Sequence, residues 1–242
     1  MREGGKILAS ILKEADFQIR EGLSTSEIEK SVNRLCLKYK VKPAFLGYRP
    51  AGSKEAFPSS VCVSVNDEIV HGIPGPRRIC DGDVVSIDLG IIFGGYITDA
   101  AVTVAVGNVS KEDKKLIEVT KMALGKGIGA VKSGARVGDI ASAIQEAVEE
   151  NGFNIFKSIA GHGVGKELHE EPTIPNFGLS GTGEVLKEGM TLAIEVMAAG
   201  GKGEIRIAED GWTMKTIDGK KAAQFEHTVL VAKEGFEILT KN

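Results

Sequence analysis

Two carboxylates interrupt apolar strands near the middle of the chain, and they constrain its fold more than any other feature. Residues 84–106, VVSIDLGIIFGGYITDAAVTVAV, predict two strands joined by a Gly-Gly turn, and Asp88 and Asp99 lie one in each strand. Burying an ionised carboxylate is costly unless it is paired, hydrogen-bonded or bound to a metal. Either Asp alone is equally well explained as a turn cap or a hydrogen-bonded buried group. Two of them on adjacent strands repel each other unless a cation lies between them.

The second half of the chain repeats this arrangement of carboxylates in apolar strands. LKEGMTLAIEV follows the pattern around Asp88 and carries Glu195, and FEHTVLVA follows the pattern around Asp99 and carries Glu226. Two strands in each half therefore bring four carboxylates towards one centre. Four negative charges in a dry centre predict bound divalent metal, with two ions as the expected number.

The helical segments repeat in the same order as the strands. Residues 3–21 and 110–132 show helical periodicity, and the glycine and apolar pattern after each of them matches the other at an offset of 112 residues. Helices followed by strands, twice, predict the α+β class. We predict a single catalytic domain over 1–242, with an internal pseudo-repeat of roughly 1–108 and 109–242.

The composition of the chain excludes several classes of function. Of its 242 residues, 30 are basic and 33 acidic, without a basic cluster, so nucleic acid is not an expected partner. No apolar run reaches the roughly 18 residues of a membrane span, and the first residues do not predict a signal peptide, so no membrane partner is expected. The three cysteines lack paired spacing, which fits a reducing compartment. We therefore expect a cytoplasmic monomer.

The histidines give a second indication of a site, since all four fall outside the predicted helices. His71 follows a short apolar run and precedes a turn, His162 and His169 lie in the glycine-rich segment AGHGVGKELHEEP, and His227 follows Glu226. That segment fails the phosphate-loop pattern, and the zinc motif HExxH is absent. Its glycines instead allow the backbone to pass close to a small ligand.

These segments together resemble type I methionine aminopeptidases in their short bacterial form. The resemblance covers nearly the whole chain and rests on VNDEIVHGIP, SIDLG, YITDAAVTV, GHGVGKELHEEP, LAIEV and QFEHTVLV. It implies the pita-bread fold, in which two pseudo-symmetric halves form a curved antiparallel sheet covered by helices. It also implies two divalent ions, bridged by Asp99 and Glu226, with the full ligand set Asp88, Asp99, His162, Glu195 and Glu226. This hard, oxygen-rich set is compatible with Co²⁺, Mn²⁺, Fe²⁺ or Zn²⁺.

The same resemblance implies roles for further residues. Glu195 is the expected general acid–base, His169 the group that stabilises the oxyanion, and His71 a hydrogen-bonding partner of the substrate backbone. The pocket for the methionine side chain would be formed by Phe45, Tyr48, Phe57, Cys62, Leu168 and Trp212, with substrate contacts from both histidines. By themselves, the aromatic residues of the loop 43–60 are better explained as packing, and the resemblance reverses that preference. His227 is expected to be structural.

The implied reaction is hydrolysis of the peptide bond after an N-terminal methionine, with a small second residue preferred. The implied partner is an N-terminal methionine peptide or a nascent chain, with a transient ribosome contact. MREGGKIL resembles an internal point of the family's first helix, so a short N-terminal piece is expected to be missing or naturally absent.

Two alternatives remain open. A proline-directed peptidase of the same fold usually has a large extra N-terminal domain, for which 242 residues leave no room. A non-catalytic nascent-chain-binding homologue would have lost ligands, whereas all five ligand positions are filled here.

Overall fold

The computed structural model describes residues 1–50 and 55–241. Residues 51–54 belong to the loop between Tyr48 and Phe57, and any role for that part of the loop lies outside the described residues. The helices of the described chain are α1 (Arg2–Asp16), α2 (Thr25–Tyr39), α3 (Lys111–Gly129) and α4 (Val137–Glu149). Its strands are β1 (Lys42–Pro43), β2 (Cys62–Val65), β3 (Glu68–Val70), β4 (Val84–Phe93), β5 (Tyr96–Ala105), β6 (Asn154–Ile155), β7 (Ala160–Gly163), β8 (Glu170–Pro175), β9 (Thr191–Ala199), β10 (Ile205–Ile207), β11 (Met214–Thr216), β12 (Ala222–Val231) and β13 (Phe236–Ile238).

The predicted strand–turn–strand unit is confirmed. β4 and β5 pair antiparallel along their whole length, from Val84 opposite Ala105 to Phe93 opposite Tyr96. The connecting residues Gly94 and Gly95 have φ of 59° and 80°, a left-handed conformation that glycine adopts without the steric cost of a Cβ. The turn therefore fixes the register that places the two carboxylates.

Capping residues define the starts of α2 and α3, whereas the ends of two helices differ from the prediction. Ser24 and Ser110 both form complete capping boxes, with Glu27 and Asp113. The helix predicted over 3–21 ends at Asp16, because the chain must turn to bring the N–H of Gly22 to the carbonyl of Ile79 at 2.8 Å.

The helix predicted over 110–132 ends in the same way. It stops at Gly129, and the N–H of Gly134 then bonds the carbonyl of Leu186 at 2.9 Å. Contacts distant in sequence thus end both helices earlier than periodicity indicates.

One sheet runs through both halves of the molecule. Its main path is β1-β4-β5-β12-β9-β7-β8, so β5 of the first half pairs antiparallel with β12 of the second at the centre. Helices α1 and α2 pack on the first-half strands around Leu8 and Val32, and α3 and α4 pack on the second-half strands around Ile140 and Ile144. This arrangement confirms the predicted α+β class.

A small second sheet, which the sequence patterns did not indicate, has the order β10-β11-β3. Its strands have three residues each, too short for a recognisable period of two. The sheet brings the turn that carries Trp212 beside the strand that leads to His71. Within the described part of the chain, no helix is long and apolar enough to cross a membrane.

Candidate active site

The strand registers bring the predicted carboxylates into one row across the sheet. Asp88 on β4 and Glu226 on β12 both lie opposite Ala101 of β5, one on each side, and Glu226 also lies opposite Glu195 of β9. Opposed residues of an antiparallel sheet share one face. The row continues at the first-half end with Cys62, opposite Asp88. The methyl side chain of Ala101 leaves space at the centre of the row.

Two further predicted ligands lie on the same face. Asp99 lies two residues before Ala101, and His162 lies opposite Ala193, two residues before Glu195. Side chains two residues apart in a strand point to the same side. As a result, one ligand atom each of Asp99, His162 and Glu226 lies within 4.8 Å of the others. His162 lies in the short strand β7, within the glycine-rich segment.

Asp88, Asp99, Glu195 and Glu226 form a carboxylate centre, and some of its buried oxygens need a partner. Among the described residues, Oδ1 of Asp88, Oδ1 of Asp99 and Oε1 of Glu226 are buried without any hydrogen bond. Buried polar atoms in folded proteins are normally satisfied by hydrogen bonds, water or an ion. Unsatisfied carboxylate oxygens beside an imidazole fit a divalent metal, because hard oxygen and imidazole nitrogen are its usual ligands.

Charge repulsion among the buried carboxylates also favours a bound divalent metal. Burial raises the pKa of Asp88 to about 7 and that of Glu195 to about 8. The pKa values of Asp99 and Glu226 lie well above their ordinary range, because of burial first and the neighbouring carboxylates second. In the protein alone these groups hold protons near neutral pH, and a divalent cation would release them.

Gln224 is a central residue that the sequence analysis missed. Its amide nitrogen donates to Oδ2 of Asp88 and to Oε2 of Glu195, both at 3.3 Å, and so spans the two outer carboxylates. It lies two residues before Glu226 on β12. A polar residue on the same face as a suspected ligand was the available signal.

Three of the predicted histidines border the same centre. His71 follows β3 and has φ of 59°, an uncommon value for a residue with a side chain and a frequent one at functional sites. The rings of His162 and His169 lie 4.3 Å apart, edge to face. Burial lowers the pKa of His71 and His162 to about 4 and lowers that of His169 as well, so all three are neutral at pH 7.

His227 lies apart from this group. Its Nδ1 lies 2.9 Å from the hydroxyl of Thr240, at the C-terminal end of the described chain. Successive residues of a strand face opposite sides of the sheet, so His227 and Glu226 point away from each other. This position fits the structural role expected for His227.

An apolar cavity adjoins the carboxylates. The residues predicted to form the methionine pocket all line it together with the five predicted ligands: Phe45, Tyr48, Phe57, Cys62, Leu168 and Trp212. The Phe57 ring packs edge to face against Trp212 at 5.2 Å and against Phe45 at 6.4 Å. The hydroxyl of Tyr48 lies 2.5 Å from Nδ1 of His169 and so links the pocket to the histidines. The roles of these cavity residues and histidines stay predictions.

The fold and this centre define a class of protein, a metal-dependent peptidase. A sequence model described as "Metallopeptidase family M24" matches residues 1–233, and the chain belongs to this family. The predicted resemblance and the peptidase class are thereby confirmed. The chain is a hydrolase that uses divalent metal, and its buried donor atoms provide a place for that metal.

Among the proteins similar to this chain are methionine aminopeptidases and a prolidase. "Methionine aminopeptidase 1" of Bacillus subtilis is 46% identical over 241 residues, which cover 100% of this chain and 95% of that protein. The crystal structure of a methionine aminopeptidase from Thermotoga maritima has a TM-score of 0.96 at 46% identity, covering 100% of this chain and 95% of that one. A prolidase structure from Pyrococcus horikoshii has a TM-score of 0.78 at 26% identity and is matched over 60% of its length. These neighbours confirm the predicted pita-bread fold.

Proposed function

We propose that this protein is a methionine aminopeptidase, which removes the N-terminal methionine from peptides and nascent proteins and prefers a small second residue. One observation carries the proposal: the carboxylate centre lies in the wall of the apolar cavity formed around Phe57 and Trp212. A residue whose side chain enters that cavity presents its own amino and carbonyl groups to the centre. Relatives at 46% identity that bear this name support the proposal.

We propose that two divalent ions bind at the centre, held by Asp88, Asp99, His162, Glu195 and Glu226. The donor set supports Co²⁺, Mn²⁺, Fe²⁺ or Zn²⁺ as the ions. When bound, such ions activate water and polarise a carbonyl group.

We propose Glu195 as the group that moves the proton during hydrolysis. Its carboxylate borders the cavity and receives a hydrogen bond from Gln224 at 3.3 Å. It accepts a proton from the attacking water and passes it to the leaving amine, a role typically worth about 10²–10⁴-fold in rate. His169 and His71, neutral at pH 7, donate N–H groups to the oxyanion and to the backbone of the substrate.

The cavity suits a thioether side chain. Apart from the carboxylates and histidines, its lining is aromatic and aliphatic, with the sulfur of Cys62 and the hydroxyl of Tyr48. Methionine is unbranched and flexible, and its sulfur makes favourable contacts with aromatic ring edges. We expect the protein to act as a cytoplasmic monomer on nascent chains, with a transient ribosome contact.

The proposal is tested by stripping the protein of metal and assaying Met-Ala-Ser and Met-Lys-Ser peptides with and without Mn²⁺ or Co²⁺. We expect metal-dependent methionine release from Met-Ala-Ser and much less from Met-Lys-Ser, because the second residue must be small. No release from either peptide in the presence of metal would contradict the proposal. Hydrolysis of an Xaa-Pro dipeptide instead would favour the prolidase-like alternative.

A further inference from the structure

Glu29 of α2 makes a set of contacts that the reaction described above does not use. A single oxygen, Oε1, lies 2.5 Å from the Ser59 hydroxyl, 3.1 Å from the Ser60 backbone nitrogen and 3.4 Å from the Ser60 hydroxyl. Both serines are buried, with exposures of 2% and 1%. Three donor groups in a buried segment therefore converge on one carboxylate oxygen 30 residues away, and the Ser59 hydroxyl also lies 2.9 Å from the carbonyl of Val61.

The segment held by Glu29 connects two walls of the apolar cavity. Phe57 lies two residues before Ser59, and Cys62 lies two residues after Ser60. The ring of Phe57 contacts the ring of Trp212, and Cys62 lies opposite Asp88 in the sheet. A displacement of the two serines would therefore move an aromatic wall of the cavity relative to the carboxylate centre.

Backbone hydrogen bonds hold this segment on either side of the serines. On one side, the N–H of Phe57 donates to the carbonyl of Tyr48 at 2.8 Å, and the carbonyl of Phe57 accepts from the N–H of Gly47 at 2.9 Å. On the other side, β2 pairs with β4 from Cys62 onward. Glu29 joins the serines between these anchors to α2, and hydrogen bonds to a charged acceptor are roughly twice as strong as neutral ones.

We propose that Glu29 is a positioning residue for substrate specificity: through Ser59 and Ser60 it fixes the Phe57 wall of the pocket that receives the methionine side chain. This inference rests on the proposed function, because it assigns that pocket to methionine. Glu29 lies on α2, outside the cavity lining, so it acts only through the segment it holds.

The test compares Glu29→Leu with Glu29→Gln in the metal-loaded enzyme. Leucine has no acceptor for the three donors, whereas the amide oxygen of glutamine can take the place of Oε1. We expect Glu29→Leu to raise KM for Met-Ala-Ser by about tenfold or more, the usual effect of a misfitted apolar pocket. We expect kcat to change less than about twofold, because binding is lost equally in the ground and transition states. Glu29→Gln should restore most of the wild-type KM.

The fluorescence of Trp212 provides a readout that needs no turnover, because this is the single tryptophan of the chain and it contacts Phe57. Glu29→Leu should shift its emission, and Glu29→Gln should not. Ser31→Ala is the matched control: it removes a partly buried hydrogen bond of 2.7 Å to Gln18 from the same helix without touching the pocket segment. It should lower stability but leave both the emission and KM unchanged.

Unchanged KM and emission in Glu29→Leu, with an active wild-type enzyme, would overturn the positioning role. So would equal changes in Ser31→Ala, since the effect would then reflect general stability. A wild-type protein that releases no methionine contradicts the proposed function instead. In that case the Trp212 emission still reports separately whether Glu29 fixes the Phe57 wall.

Discussion

The charged residues of the centre depend on uncharged neighbours. Ala101 lies between Asp88 and Glu226 in the row across the sheet, and a larger side chain there would fill the space that their carboxylates share. Gln224 donates from one amide nitrogen to Asp88 and to Glu195, which offsets part of their mutual repulsion. Ala101 and Gln224 therefore help to accommodate Asp88, Glu195 and Glu226 side by side.

Asp99→Asn tests the metal centre at a single residue. The amide keeps the shape of the side chain but loses the negative charge, so the protein should lose bound metal, and activity should fall by about 100-fold or more. Elemental analysis and methionine release measure the two effects together. Glu237→Gln, which breaks a surface ion pair with Arg2, should change neither. Full turnover with two ions bound would exclude a bridging role for Asp99.

The cluster of buried carboxylates could be predicted from sequence because a carboxylate inside an apolar strand is expensive wherever the strand packs. Glu29 gave no such signal, since a glutamate on a helix normally faces solvent. The bond between Tyr48 and His169 joins residues 121 apart in the chain, and no local pattern records it. Sequence therefore revealed the groups with a high burial cost and missed those that position them.

The seam between β5 and β12 joins the halves through two threonine hydroxyls. The hydroxyl of Thr228 accepts from the N–H of Asp99 and donates to its carbonyl, both at 2.8 Å. At the other end of the seam, the hydroxyl of Thr103 makes the same two contacts with the backbone of Gln224. Each threonine thus replaces ladder hydrogen bonds beside a residue of the carboxylate centre.

Thr228→Val tests this seam. Valine matches the shape of threonine but leaves two backbone groups of Asp99 buried without partners, which should lower the free energy of unfolding by about 1–3 kcal/mol. Metal affinity should fall as well, because Asp99 loses its fixed position. Urea unfolding of the stripped protein and metal titration measure these effects. Thr228→Ser keeps the hydroxyl and should retain metal affinity; equal losses in both variants would contradict the argument.

Whole elements were predictable where local chemistry defines them. The β4–β5 hairpin has a glycine turn, and the starts of α2 and α3 have serine caps. The ends of α1 and α3 depend on hydrogen bonds to Ile79 and Leu186, which only the folded chain supplies. Periodicity therefore identified these elements and overestimated their lengths.

At the scale of the whole molecule, the internal repeat explains where the centre lies. Each half contributes two carboxylates, and the continuous sheet brings them together at the β5–β12 pair. His162, from β7, breaks this symmetry because only the second half supplies an imidazole. Metal held by residues of both halves should therefore stabilise contacts between the halves as well as within each of them.

The raised pKa values of the buried carboxyl groups predict how the stability of the metal-free protein depends on pH. Unfolded carboxyl groups have pKa values of about 4, whereas folded Asp88 and Glu195 have values of about 7 and about 8 because of burial. The folded state then binds more protons than the unfolded state, so its stability falls as pH rises through the folded pKa values. Buried His71 and His227 have lowered pKa values of about 4 and act in the opposite direction, but only below about pH 6.5.

The stripped protein should therefore continue to lose stability from pH 6.5 to about pH 8.5, above the range in which the histidines titrate and up to the raised carboxyl pKa values. The Mn²⁺-loaded protein should not, because bound metal keeps the carboxylates ionised in the folded state. Urea unfolding of both forms across this range measures the difference. The double variant with Asp88→Asn and Glu195→Gln should lose part of the pH dependence, and the remainder should come from Asp99 and Glu226, whose pKa values are also raised. A stripped protein that becomes more stable towards pH 8.5 would show that these carboxyl groups are already ionised without metal.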